Sequence, residues 1–314
     1  MTRYIVRRLL AFIPILLITS LLVFLMIDLV PGDPVALLMG LEASGEAINS
    51  KRIELGLNRP LPERMASWFL DAFRGDLGDS FYLQIPVTQA IKARIPVTYS
   101  LASVALVVAV VVGMSAGVMA GIKQNSLADW GVMLLAMLGV SVPSFWLAMN
   151  LILVFVIKLR WFPLGGFKPP SAGLGEYIRH LVLPGLSLGL IYSAMIARMT
   201  RASMLEVLRM DYIRTARAKG LVEWSVVFGH ALKNALIPVI TMVGIAAGGL
   251  LGGSVIMEMV FNMQGIGRLV VEGVKRRDYP VIQGGILVVT LTYLGINLLV
   301  DVLYVWANPR ISYQ

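Results

Sequence analysis

The sequence predicts an all-α, polytopic membrane protein with six transmembrane helices, and three observations support this prediction. Of its 314 residues, 58% are hydrophobic and only 14% are charged, which is too apolar for a soluble domain. The apolar residues form six long runs, each close to the roughly 20 residues that a helix needs to cross a bilayer. Most Lys and Arg residues lie in the segments between these runs, as in other membrane proteins.

The first predicted span lies within residues 1–30. Arg3, Arg7 and Arg8 precede an apolar run from Leu9 to Val30. A secretory signal peptide also has a basic segment followed by an apolar one. However, this run is long enough to span the hydrocarbon core, and the PGDP sequence after it is not a small-residue cleavage site. We therefore expect a retained helix that enters the membrane from the cytoplasm.

Residues 31–96 form a polar region between the first two spans. Within it, Pro60-Leu61-Pro62 precedes the string ERMASWFLDAFRGD, whose apolar residues recur at helical spacing. We expect a small extracytoplasmic helical region.

The remaining spans lie in a transmembrane core at residues 97–306, which is followed by a cytoplasmic tail at 307–314. The predicted segments are spans two to four at 97–122, 130–157 and 181–199, a basic cytoplasmic loop at 200–234, and spans five and six at 235–257 and 280–306. Six spans place both termini on one side of the membrane. The distribution of Lys and Arg favours the cytoplasmic side.

The third predicted span is interrupted by Ser141, Pro143 and Ser144. A proline within a span leaves a backbone carbonyl that neighbouring helices, hydroxyl groups or water must satisfy. The sequence leaves two alternatives here, a simple kink and a segment that lines a transport pathway.

Small residues recur at four-residue spacing in two spans, which allows helices to approach closely in lipid. In the second span these are Gly113, Gly117 and Gly121. In the fifth span they form three GxxxG pairs and are predicted to contact a helix of this chain or of a partner: Gly244, Gly248, Gly249, Gly252 and Gly253.

The basic loop before the fifth span contains the string RMDYIRTARAKGLVEWSVVFGHALKNALIP. If its first part is helical, one sector holds Tyr212, Ile213, Ala216 and Gly220, while Arg214 and Arg217 point away from it. We expect this sector to dock into a groove on another protein, with Gly220 ending the helix in a left-handed conformation. The alternative is an ordinary loop held in the cytoplasm by its positive charge.

Arg214-Thr215-Ala216, followed after three residues by Gly220, resembles the EAA loop through which permease subunits of ABC importers bind their ATPase subunits. The match is partial, because Arg214 replaces the family's Glu and the terminal Pro is displaced to Pro238. The wider strings DYIRTARAKG and HALKNALIPVIT, together with PGDP, GDLGDSF and RIPVTYSLA nearer the N-terminus, resemble permeases for peptide and nickel uptake.

This resemblance implies a type I ABC importer permease in the bacterial inner membrane, with both termini in the cytoplasm. It implies three kinds of partner besides membrane lipid: a homologous permease, two ATP-binding subunits and an extracytoplasmic substrate-binding protein. It also implies that ATP and Mg bind to the partner ATPase subunits. Short peptides are the leading substrates, and nickel chelates, glutathione and oligosaccharides are alternatives. The residues implied in ATPase docking are Tyr212, Ile213, Arg214, Thr215, Ala216, Arg217, Lys219 and Gly220.

Other chemistry has no motif in this sequence. It lacks the GxxxxGK[ST] phosphate-binding loop, has no cysteine, and its two histidines are too far apart for a zinc-protease motif. We therefore predict no catalytic residue, metal site or cofactor on this chain. The excess positive charge lies beside apolar spans, which argues against nucleic acid as a partner. A stand-alone secondary transporter or channel, and a membrane assembly factor, are the competing classes.

Overall fold

The computed structural model describes residues 2–29, 34–39 and 43–307. Within them the secondary structure is helical, apart from turns, loops and an isolated antiparallel bridge between Asp79 and Pro86. Two segments are π-helical: Ile152–Lys158 directly follows the α-helix Ser144–Leu151, and Ser225–Ala231 directly precedes the α-helix Leu232–Val260. The α-helices are α1 (Thr2–Leu29), α2 (Pro34–Met39), α3 (Gly45–Glu54), α4 (Leu61–Phe73), α5 (Val87–Ile122), α6 (Leu127–Ser141), α7 (Ser144–Leu151), α8 (Leu174–Leu208), α9 (Asp211–Ala218), α10 (Leu232–Val260), α11 (Ile266–Arg276) and α12 (Tyr279–Ala307).

The described helices confirm the predicted all-α polytopic membrane fold. Five of them contain stretches long and apolar enough to cross a membrane, and α6 together with α7 makes a sixth span if the pair is counted as one. These stretches are Arg7–Met26, Val87–Ile122, Leu174–Leu208, Ser225–Val260 and Tyr279–Leu303. A helix satisfies its backbone hydrogen bonds internally, which is the requirement that the bilayer core imposes on a spanning segment.

Several helices extend beyond the spans predicted from hydropathy. The helix α5 begins at Val87 rather than at Val97 and continues through Pro96. The helix α8 covers Leu174–Leu208 rather than 181–199, so the first part of the predicted loop at 200–234 is helical. The last part is helical too, because the π-helical segment Ser225–Ala231 leads directly into α10. Hydropathy identifies the segment that lipid solvates, whereas a helix continues as long as its hydrogen-bond ladder does. A single proline removes only one bond of that ladder.

The third predicted span is broken at its proline. The helices α6 and α7 meet at an angle of 104°, and the two residues between them, Val142 and Pro143, have extended backbone conformations. The break therefore excludes a simple kink in a continuous helix. Pro143 precedes the first turn of α7, where its missing N–H group carries little cost.

The described chain divides into two compact units, of which the first comprises residues 1–96 and 264–294. In this unit Phe24 of α1 contacts Trp68 of α4 edge to face, with ring centroids 5.7 Å apart. Asp278, which is buried, accepts hydrogen bonds from Ser80 Oγ and from the backbone N–H groups of Phe81 and Tyr82, at 3.2 and 3.1 Å for the two N–H groups. This carboxylate fixes the loop before α5 against the start of α12.

The second unit comprises residues 97–263 and the described residues from 295 to 307, and α8 lies at its centre, packed against α6, α7 and α10. The glycine stripe of α5 allows a close approach to α8. A Cβ atom at Gly117 would lie 2.5 Å from Thr200 Cβ and 2.6 Å from the carbonyl oxygen of Ala197. Gly113 and Gly121 face α8 in the same way, opposite Ile196 and Met204. The predicted close helix contact in the second span is confirmed.

Candidate functional site

The short helix α9 is the candidate site, and its boundaries follow from local sequence. The chain leaves α8 at Leu208, and Met210 is extended with φ −70° and ψ 148°. Asp211 lies in the first turn of α9 and Arg217 in the last, so both side chains complement the helix dipole. Gly220 has φ +80°, which confirms the left-handed turn expected after this helix.

One face of α9 is buried in the second unit. Ile213 is fully buried and Ala216 is 8% exposed. They pack in a cluster with side chains from α5, α8 and the π-helical segment that leads into α10. The other buried members are Val118, Met204, Val207, Val226, Val227, Ala231 and Ala235. The short helix is therefore anchored to the ends of three membrane helices.

The predicted orientation of α9 is wrong for two of its residues. Ile213 and Ala216 were expected to dock on a partner, but they face the chain's own core. Small and apolar side chains at helical spacing suit a contact with a partner protein and a contact with the chain's own core equally well. Tyr212 keeps 40% of its surface exposed, and its hydroxyl accepts a 2.9 Å hydrogen bond from Asn234 Nδ2. Tyr212 therefore also helps to hold α9 against α10.

The free face of α9 is polar and positively charged. It exposes Arg214, Thr215, Arg217 and Lys219, with Gly220 exposed in the turn beyond. Arg217 donates two hydrogen bonds to the carboxylate of Glu223, at 3.1 and 2.7 Å. These bonds lower the pKa of Glu223 and raise the pKa of Arg217, so the pair stays ionised at neutral pH. Both groups are roughly half exposed, so the pair orders the loop but adds little stability.

An ion pair that sequence reasoning missed supports the helix that leads into α9. Arg201 of α8 donates from Nε to Asp129 Oδ1 and, at 2.7 Å, from Nη2 to Asp129 Oδ2. The Asp129 side chain is 3% exposed. Asp129 also accepts a 3.0 Å bond from the backbone N–H of Asn125. This carboxylate thus ties the turn after α5 to the C-terminal part of α8.

A second buried pair lies at the end of the bundle opposite α9. Thr98, near the start of the α5 segment in this unit, donates a 2.6 Å hydrogen bond to Glu258, near the end of α10. Glu258 is fully buried. A buried carboxylate is costly unless it is hydrogen-bonded, so this contact fixes α5 and α10 to each other.

The predicted packing glycines of α10 do not share one face. A Cβ atom at Gly244 would meet Val300 of α12, while one at Gly249 or Gly253 would meet α8 at Tyr192 or Leu188. Gly248 is buried. Gly252 is exposed and has open space around its Cβ direction. Gly244, Gly249 and Gly253 therefore face neighbouring helices of this chain. The role of these glycines in assembly, including a partner contact at Gly252, stays a prediction.

The three residues predicted to line a pathway lie at the break between α6 and α7. Ser141 and Pro143 are exposed and Ser144 is half-buried. Ser141 Oγ donates to the Met137 carbonyl oxygen at 3.0 Å, so its hydroxyl is satisfied within α6. The role of these residues in a pathway stays a prediction.

Apolar helices long enough to cross a membrane, together with a short polar-faced helix anchored to the ends of three of them, define an integral membrane protein. The chain belongs to the family described as the binding-protein-dependent transport system inner membrane component. Residues 109–313 match this family and residues 1–102 match its N-terminal region. The protein is therefore an integral membrane permease of the ABC importer class, a class whose members work with a further permease, ATPase subunits and a binding protein.

Relatives match the whole length of the chain. A Brucella suis protein provisionally named as a peptide transport system permease is 46% identical over 314 residues, and each chain is fully covered. The dipeptide transport system permease of Alkalihalophilus pseudofirmus is 43% identical, again with both chains fully covered. The glutathione transport system permease of Escherichia coli is 45% identical over 314 residues and all of both chains.

Two solved transporter structures share the fold. Inward-facing MetNI, a methionine ABC transporter, has a TM-score of 0.58 at 17% identity, over 70% of this chain and 97% of that one. An amino acid ABC transporter crystallised with histidines has a TM-score of 0.53 at 13% identity, over 69% of this chain and 94% of the other. At these identities the likeness establishes the fold alone.

Proposed function

We propose that this chain pairs with a homologous permease to form the translocation pathway for short peptides, which an extracytoplasmic binding protein delivers and ATP hydrolysis on two partner subunits drives. The observation that carries the proposal is the construction of α9. Its apolar face is anchored in the chain's own core by Ile213 and Ala216. Its opposite face presents Arg214, Thr215 and Lys219 to a partner.

This construction supports a coupling role for α9. The cluster around Ile213 joins α9 to α5, to α8 and to the segment before α10. Packed interiors resist compression, so they move as bodies rather than deform. When the ATPase pair closes, it displaces α9, and the attached helices rock with it to change the side from which the pathway opens. The Asp129–Arg201 pair keeps the C-terminal part of α8 rigid during this movement.

ATP and Mg belong to the partner subunits in this proposal. The chain has no GxxxxGK[ST] sequence, so it lacks the loop whose backbone N–H groups and lysine hold nucleotide phosphates in P-loop proteins. The role of this chain is to respond to nucleotide-driven movement. This response is a change of access that involves no covalent step.

The proposed topology places both termini and α9 in the cytoplasm. Residues 31–96 then face outward, where α3 and α4 can meet the binding protein. The excess of Lys and Arg in the segments around α9 agrees with this direction.

Short peptides are the proposed substrates because relatives that match the full chain are named for dipeptides and for glutathione, itself a tripeptide. Nickel chelates and oligosaccharides remain the alternative cargo. The pathway walls of such a subunit need only tolerate peptides, since the binding protein supplies most of the selection.

Uptake by reconstituted vesicles tests this proposal. The chain, its homologous permease, the ATPase subunits and the binding protein are assembled in proteoliposomes with ATP inside or outside. We expect labelled dipeptide to accumulate only when the ATPase, ATP and the binding protein are all present. Uptake by this chain alone, driven by an ion gradient, would instead indicate a secondary transporter. ATP-dependent uptake of a nickel chelate or an oligosaccharide without peptide uptake would change the proposed substrate.

A further inference from the structure

An apolar groove lies beside α9, at the point where two membrane helices end. Its volume is about 510 Å³. One wall is the last part of α5 and the other is the segment that leads into α10. The principal lining residues are Met114, Val118, Ile122, Trp224, Val227 and Phe228. Both walls belong to segments long and apolar enough to span a membrane, so the groove lies at the depth where hydrocarbon meets headgroups.

Lys123 lies at the mouth of this groove, one residue beyond the end of α5. It is exposed, and its ammonium group has no acidic partner among the described residues. Glu223 also lines the groove, but its carboxylate is occupied by two hydrogen bonds from Arg217. The mouth therefore offers a positive charge that no described residue neutralises.

An aromatic pair borders the same groove. The rings of Trp224 and Phe228 lie 3.9 Å apart between centroids, and 72% of Trp224 is exposed. Tryptophan is enriched at membrane–water interfaces, where its apolar ring meets lipid and its N–H group meets water. An exposed indole at the end of a span is suited to a headgroup region.

We propose that this groove binds an anionic phospholipid, with an acyl chain between α5 and the start of α10 and the headgroup phosphate on Lys123. Apolar walls accept the chain, and the uncompensated ammonium group favours an anionic headgroup over a zwitterionic one. Basic pockets between membrane helices bind anionic lipid headgroups by the same combination. The assignment to the cytoplasmic leaflet rests on the proposed function, because that function sets the side on which α9 lies. A lipid held there would contact the helices that α9 moves.

Native mass spectrometry of the assembled importer tests the site. The complex is titrated with phosphatidylglycerol or with phosphatidylcholine of the same acyl chains, and retained lipid is counted. We expect wild type and Lys123→Arg to prefer phosphatidylglycerol by about fivefold, the preference that one lysine near an anionic surface supplies. Lys123→Gln and Lys123→Glu should lose this preference. Ser115→Trp, at an exposed position that lines the groove, should reduce retention of both lipids.

Lys168→Glu is the matched control, because it makes the same charge change at an exposed lysine outside the groove. It should bind lipid as wild type does. An unchanged preference in both Lys123→Gln and Lys123→Glu would overturn the proposed site. So would a Ser115→Trp variant that retains lipid but loses the homologous permease, because the groove would then be a protein interface. Lipid retention is measured without transport, so a complex that binds lipid through Lys123 but moves no peptide contradicts the proposed function and not this site.

Discussion

Replacing Thr215 with tryptophan is expected to release the ATPase subunits and to abolish ATP-driven uptake. Thr215 lies on the exposed face of α9, and its hydroxyl donates a 3.0 Å hydrogen bond within its own helix, to the Asp211 carbonyl oxygen. An indole there cannot enter a close-packed interface without displacing its partner. Overpacking costs about 2 kcal/mol, which corresponds to roughly thirtyfold weaker binding. The measurement is ATPase binding to the purified permease pair, followed by uptake in vesicles.

Ser171→Trp is the control for this substitution, since it places the same side chain at an exposed position in another loop. It should leave ATPase binding unchanged. Ala216→Glu would not test docking, because Ala216 is buried in the chain's own core and a carboxylate there lowers the stability of the bundle. Normal ATPase binding and normal uptake by Thr215→Trp would show that the exposed face of α9 is not the docking surface.

Asp129→Ala is expected to cause the largest loss of stability. It removes the partner of Arg201 and the acceptor for the Asn125 N–H group. Breaking a buried ion pair costs about 3 to 5 kcal/mol. We expect the lower end of this range, because a quarter of the Arg201 side chain is exposed. The measurement is the unfolding temperature of the purified permease in detergent.

The double variant Asp129→Ala/Arg201→Met should recover part of this loss, because it leaves no unpaired cation. Asp211→Ala is the matched control, since the Asp211 side chain is 95% exposed and lies 3.4 Å from Arg214. Its effect should be within about 0.5 kcal/mol. An Asp129→Ala variant that unfolds at the wild-type temperature would show that the pair does not hold α8.

The spans could be predicted from sequence because lipid solvation imposes a long apolar run on each spanning helix. The glycine stripe at Gly113, Gly117 and Gly121 was predictable for a related reason, since only small side chains let two helices approach so closely. The ends of the helices were harder to predict from sequence. The helices α5 and α8 continue past their apolar segments, and hydropathy carries no signal there.

The orientation of α9 and the Asp129–Arg201 pair could not be predicted. Ile213 and Ala216 fit an intramolecular core and a partner's groove equally well. Periodicity therefore identified the apolar face of α9 but not what packs against that face. Asp129 and Arg201 are 72 residues apart in sequence, and only the packing of α6 against α8 brings them together. Ser126 and Asp129 do resemble a capping box, which marks the start of α6 but says nothing about Arg201.

Cysteine accessibility tests the central claim, that α9 faces the cytoplasm where an ATPase can reach it. The native chain contains no cysteine, so Ser50→Cys, Ser171→Cys and Val222→Cys are unambiguous reporters, and all three positions are exposed. In intact cells a membrane-impermeant maleimide should label positions 50 and 171 and spare position 222. Position 222 should react only after the membrane is permeabilised. Labelling of position 222 in intact cells, with protection of position 50, would place α9 outside and contradict the importer mechanism.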